Sequence, residues 1–120
     1  MTNPVQPSVT LTVPDPVKGG EIDFELVFDF EAIAHAEDVT GLSLLTGMTR
    51  KIVEHPTISL VRAMLFAALL ATEPKITLSE ASAFVTRKTF KLIWAKVLDA
   101  WVIGMNDEEE TPADPPQSQS

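Results

Sequence analysis

Residues 22–41 read IDFELVFDFEAIAHAEDVTG, and the period of their apolar positions changes part-way along. Ile22, Phe24, Leu26 and Phe28 alternate with Asp23, Glu25 and Val27, the two-residue period of a strand with one covered face. Asp29 follows, a side chain suited to cap a helix N-terminus. The spacing then predicts a helix over 30–40, with Phe30, Ile33, Ala34 and Glu37 on one face and Ala36 beside them. Gly41 suits the residue just past a helix end. A strand feeding directly into a helix through a capping carboxylate sets the class as α+β.

On the N-terminal side, Val9, Leu11 and Val13 alternate with Thr10 and Thr12, a shorter strand signal. Pro14, Asp15, Pro16, Gly19 and Gly20 make a connection rich in breakers. The two strands therefore read as an antiparallel hairpin with a long loop. A lone hairpin is marginal in water, so its apolar face must pack on helices or join the sheet of another chain. Residues 1–7, with Pro4 and Pro7, read as a flexible arm.

On the C-terminal side, Leu42, Leu44, Leu45 and Met48 suggest one or two helical turns, and the polar stretch 49–58 with Pro56 reads as a loop. A helix is expected over about 59–72, capped by Thr57 or Ser59. Ten of the eleven residues from Val61 to Ala71 are apolar, Arg62 being the exception, so this helix belongs at the centre. Pro74 stops it. Thr77 and Glu80 stand at capping-box spacing before a short helix over 78–86. Phe90, Ile93, Trp94, Val97, Leu98, Trp101 and Val102 carry the strongest helical period in the chain. They predict a helix over 88–104 that Gly104 closes. Residues 106–120 read as a disordered acidic tail. The expected fold is thus mainly α within the α+β class. An N-terminal β-hairpin packs on about four helices in a single globular domain over 8–105.

With 120 residues and 13.1 kDa, the chain has the size of one domain. It contains no cysteine, which excludes disulfides, cysteine zinc sites and thiol catalysis. The longest apolar run, Ala63 to Ala71, is nine residues, against the roughly 20 a membrane span needs. The opening MTNPVQPS has no basic region leading into an apolar one, so no signal peptide is expected. The net charge of -8 is unevenly placed. Residues 1–49 carry -7 and residues 106–120 carry -5, while residues 50–105 carry +4. A chain of this overall sign repels phosphate, so generic nucleic-acid binding is not expected.

Glu31, His35 and Asp38 share a helix face at i, i+4 and i+7. Such a set suits Zn²⁺ chemically, but a solvated face with a Glu–His pair is the expected reading. His55 precedes a proline in a polar stretch and reads as a surface residue. Ser43 lacks the small residue two places on that a nucleophile elbow requires, and Gly19-Gly20 stands without a phosphate-loop lysine. No nucleophile–base pair is in view, so no enzyme activity, cofactor or metal is expected. Arg62 is expected to snorkel or to pair with Glu37 or Asp38. Trp94 and Trp101 are expected in the core. Arg87, Lys88, Lys91 and Lys96 lie on the N-terminal part of the last helix, where they read as solvated charges or as a site for an acidic or amphipathic protein segment. With the turn before it, this helix also admits a helix-turn-helix regulator reading, which the acidic arms oppose.

The order of segments carries more. Phe28-Asp29-Phe30-Glu31-Ala32-Ile33, with Ala36-Glu37 and Thr40-Gly41, resembles the opening motif of the tail assembly chaperones of long-tailed bacteriophages. The similarity continues through the Ala-rich Leu60-Val61-Arg62-Ala63-Met64-Leu65-Phe66-Ala67-Ala68. It runs on through Pro74-Lys75-Ile76-Thr77-Leu78-Ser79-Glu80-Ala81 to an amphipathic helix and an acidic tail. It covers roughly residues 22–104, and its motifs are cap, core and turn residues.

The resemblance implies a protein that binds the tape-measure protein and keeps it soluble while tail-tube subunits polymerise around it. Such a protein works in the host cytoplasm and leaves before the virion is complete. It implies contact with the tail-tube protein and a longer, frameshifted form of the same chain, whose extension would begin at the acidic tail. Helix 88–104 and the Leu42–Met48 segment are expected to wall a groove for a client helix. Leu42, Leu45 and Met48 would then contact the client, and Arg87, Lys88 and Lys91 would attract its acidic segments. The hairpin edge offers pairing between copies, hence a homo-oligomer. The rival from the structural class is a tail or head–tail subunit retained in the particle.

Overall fold

A computed structural model describes residues 8–110. The arm at 1–7 and residues 111–120 of the acidic tail lie outside the described residues. The elements run β1 (Val9–Pro14), β2 (Glu21–Leu26), α1 (Phe30–Thr40), α2 (Leu44–Gly47), α3 (Arg50–Glu54), α4 (Ile58–Leu69), α5 (Leu78–Ala83) and α6 (Phe90–Glu110). The architecture is the expected one, mainly α in an α+β frame, with an N-terminal hairpin laid on helices.

β1 and β2 pair antiparallel, with Val9 opposite Leu26, Leu11 opposite Phe24 and Val13 opposite Ile22. This register puts Leu11, Val13, Phe24 and Leu26 on one buried face. On the other face Ser8 and Thr10 donate to the Glu25 carboxylate at 2.9 and 2.8 Å, and Thr12 donates to Asp23 at 2.7 Å. Polar cross-strand pairs thus cover the solvent side. In the hairpin loop, Asp15 Oδ1 accepts the amides of Val17 and Lys18. These two bonds, Lys18 first, hold the Asp15 carboxyl below the ordinary aspartate range.

The apolar face packs within the chain: β1 lies on α6, and β2 on α4 and α6. Val27, which interrupts the alternation, is buried. Its N–H donates to the Ala68 carbonyl at 3.0 Å, and the Thr72 hydroxyl donates to the Glu25 carbonyl at 3.0 Å. Past the end of β2, the chain is therefore bonded to the C-terminal end of α4.

α4 is the central helix, with eight of its residues buried and α1, α5 and α6 packed around it. Thr57 is its cap, accepting the Leu60 amide, and it ends at Leu69, short of the expected Leu70–Thr72. Asp29 caps α1 through the Ala32 amide at 2.8 Å, and Gly41 closes it at φ 72°. The inward face of α1 is Ala32, Ile33 and Ala36. Phe30, expected on that face, is 59% exposed, because the first residue after the cap faces outward here. The capping box of Thr77 and Glu80 is present in full at α5.

Three further boundaries differ from the sequence reading. The stretch 49–58 contains α3. Thr49 caps it through the Ile52 amide, and the Trp94 indole N–H donates to the Val53 carbonyl at 2.8 Å. The helix expected over 78–86 stops at Ala83. A threonine pair then turns the chain into α6: Thr86 N–H donates to Thr89 Oγ1 at 2.8 Å, and the buried Thr89 hydroxyl donates to the Phe84 carbonyl at 2.7 Å.

The third difference is at Gly104, which does not close α6; the helix passes through it to Glu110. A Cβ on Gly104 would lie 2.0 Å from the Phe28 carbonyl oxygen. The glycine is there so that the helix can approach the backbone beyond β2 closely. Ile93, Val97 and Ala100 are buried along the same helix, and Trp101 sets its ring edge-on to Phe28 at 5.4 Å.

Candidate functional site

The predicted contact residues do not come together as expected. The apolar stripe of α6 faces the core: Ile93, Trp94, Val97 and Trp101 are all buried against α4 and the hairpin. α2 packs on α1, drawn there by the Leu44 amide donating to the Glu37 carboxylate at 2.8 Å. The apolar stripe of α6 and the helix α2 therefore do not face each other across a groove, and Met48 is half-buried against the core. The side chain of Leu45 lies outside the described residues. Lys88 and Lys91 are exposed. Of the six predicted residues, Leu42 and Arg87 reach a shared surface, at opposite ends of it.

That surface centres on Arg62. A hollow of about 400 Å³ lies between the end of α1 and the starts of α4 and α5, with Val39, Leu42, Leu78 and Arg62 in its wall. A second, of about 460 Å³, lies between α4 and the turn into α6, with Ile58, Phe90, Arg87 and again Arg62. Arg62 borders both, so the two hollows adjoin at its side chain as a groove in two parts. Its apolar side chains stand open: Val39 is 41%, Leu42 44%, Ile58 56% and Leu78 38% exposed.

Among the described residues, no aspartate or glutamate lines either hollow, in a chain that holds 17 acids to nine bases. Arg62 does not form the expected pair with Glu37 or Asp38, and the salt bridge present among the described residues is Arg50–Glu54 at 3.0 Å. Glu37 is turned instead to the Leu44 amide. The groove therefore offers apolar contact interrupted by two guanidinium groups, each able to take a carboxylate through a planar fork of donors. The hydroxyls of Ser59 and Ser82 add polar points along its floor.

A further hollow, about 580 Å³, lies between the hairpin loop and α5, lined by Val17, Phe24, Pro74, Ile76 and Phe84, with Glu73, Lys75 and Glu80 on its rim. Phe24 and Phe84 meet edge-on at 5.0 Å in its floor. Glu31 and His35 are exposed on α1, and no cluster of metal-ligating side chains occurs among the described residues. No described helix is long and apolar enough to cross a membrane.

Comparison with family models, with curated proteins and with solved structures gives no match. The groove rests on Val39, Ile58 and Leu78, which reading the sequence for core stripes passes over. Ile58 and Leu78 each follow a threonine N-cap directly, as Phe30 follows Asp29, and all three are exposed. Leu44 likewise follows the cap Ser43 and is buried, so the position after a cap does not by itself separate surface from core.

Proposed function

We propose that the protein is a tail assembly chaperone of a long-tailed bacteriophage. In this reading it binds the tape-measure protein, holds it soluble while the tube grows around it, and is then released. The observation that carries the reading is the order and spacing of three sequence segments: Phe28–Gly41, Leu60–Ala68 and Pro74–Ala81. They fall, in chain order, on the junction into α1, the central α4, and the capped start of α5. The open apolar groove beside Arg62 is consistent with a binding role. A chaperone of this kind needs contacts that a growing tube can displace, and a groove of modest length supplies them.

Co-expression with the tape-measure protein tests the proposal. The client is expected to become soluble and to co-purify with this chain. A client that stays insoluble with nothing bound would overturn the reading. Mass spectrometry of purified virions gives the second arm. Abundant peptides from this chain would instead assign a subunit retained in the particle.

A further inference from the structure

We propose that the groove across Arg62 binds an acidic amphipathic helical segment of another protein. Its apolar side chains would sit on Val39, Leu42 and Leu78 and on Ile58 and Phe90, and its carboxylates on Arg62 and Arg87. For what it says of the client, the proposal rests on the chaperone reading above. Its test uses no client, so the two can fail separately.

Charge selects the occupant. The protein carries -8 overall, yet the groove holds two arginines and no carboxylate in its lining. A basic segment would meet like charge at both arginines, whereas an acidic one meets complementary charge at two points along an apolar floor. Backbone chemistry selects the conformation. The groove is framed by α1, α4, α5 and the start of α6, none of which is a strand. It presents no strand edge for an extended peptide to pair with, which leaves the helix-in-groove mode, read by anchors at i, i+3, i+4 and i+7.

The test is a titration of the full chain, labelled with ¹⁵N, followed by NMR. The probe is a designed helical peptide of about 18 residues, long enough for several turns, with leucines on one face and glutamates flanking them. The control is the same peptide with lysine at every glutamate position. The glutamate peptide is expected to shift the amides of Arg62, Ser82 and Thr86, and the lysine peptide to leave them in place. Arg62→Glu with Arg87→Glu should weaken the glutamate peptide at least tenfold and let the lysine peptide bind. Both side chains are exposed, and the milder pair Arg62→Gln with Arg87→Gln should weaken binding without the swap.

Equal binding of the two peptides, or shifts confined to the hollow between the hairpin loop and α5, would overturn the proposal. So would shifts of the same amides on concentrating the protein alone, which would assign the groove to a second copy. The same shifts produced by duplex DNA would assign it to nucleic acid and overturn the proposal equally.

Discussion

Replacing Gly104 by alanine sets two effects of opposite sign against each other. Gly104 lies inside α6, where alanine is favoured over glycine by about 1 kcal/mol. Against that, the new Cβ would stand 2.0 Å from the Phe28 carbonyl oxygen and 3.0 Å from its carbon. The obstruction is backbone, and the Phe28 side chain is itself 2% exposed, so α6 must move by more than 1 Å to restore ordinary contact. Overpacking of this kind costs about 1–3 kcal/mol or more. The same movement loosens the edge-on contact of Trp101 with Phe28, of a type contributing about 0.5–1.5 kcal/mol. The clash prevails, and Gly104→Ala is expected to lose about 1–3 kcal/mol net.

Urea unfolding followed by tryptophan fluorescence measures this loss, since the two tryptophans both sit on α6. A left-handed cap at this position would also disfavour alanine, so a second variant separates the two cases. Asparagine is tolerated at such a cap but is larger than alanine, so Gly104→Asn should here be at least as damaging. Stability retained in Gly104→Asn, or raised in Gly104→Ala, would refute the close approach of α6 to Phe28.

Other perturbations follow from the same structure. Gly47→Ala, where a Cβ meets nothing within 4 Å, should leave stability unchanged or raise it by about 0.4–1 kcal/mol in the same urea assay. Gly41→Ala places a side chain at φ 72° and should cost about 1–2 kcal/mol, read as a lower urea midpoint. Trp94→Phe removes the indole donor to the Val53 carbonyl and should cost about 1–3 kcal/mol, with faster hydrogen exchange at residues 52–55. Asp15 has its folded-state pKa lowered, so its contribution is present above the unfolded aspartate value, about 3.9, and is lost as pH falls through the folded value. Asp15→Ala should therefore flatten the acid limb of the stability–pH curve below about pH 4 while leaving its shape near neutrality unchanged.

The features legible in the sequence were those whose causes are local. The caps of α1, α4 and α5 rest on side chains bonding amides three residues away, so Asp29, Thr57 and Thr77 could be read from spacing. The two strands of the hairpin and their apolar face could be read from alternation. What escaped depended on contacts across long separations. Gly104 has the appearance of a terminator until Phe28, 76 positions earlier, is placed against it. α3 depends on a cap at Thr49 and on a tryptophan 41 residues further along. The stripe of α6, with Trp94 and Trp101 expected in the core, is covered by β1, β2 and α4, so it does not wall a groove for a client. Arg62 was singled out as the lone charge in an apolar helix. Its surroundings come from α1, α5 and the turn into α6, and no local pattern joins them.

The segment from Leu42 to Pro56 is fastened differently from the rest of the fold. It is held by the insertion of Leu44, by Glu37 gripping the Leu44 amide, and by Trp94 gripping the Val53 carbonyl. Segments with few buried side chains open at a lower free energy than the whole domain. Leu42, at one end of this strap, forms part of one wall of the Arg62 groove, while Ile58, Arg62 and Phe90 stand on helices that carry the core. In the proposed mode of binding, the wall at Leu42 would yield before the walls at Ile58, Arg62 and Phe90, and side chains of unequal bulk would be accommodated there.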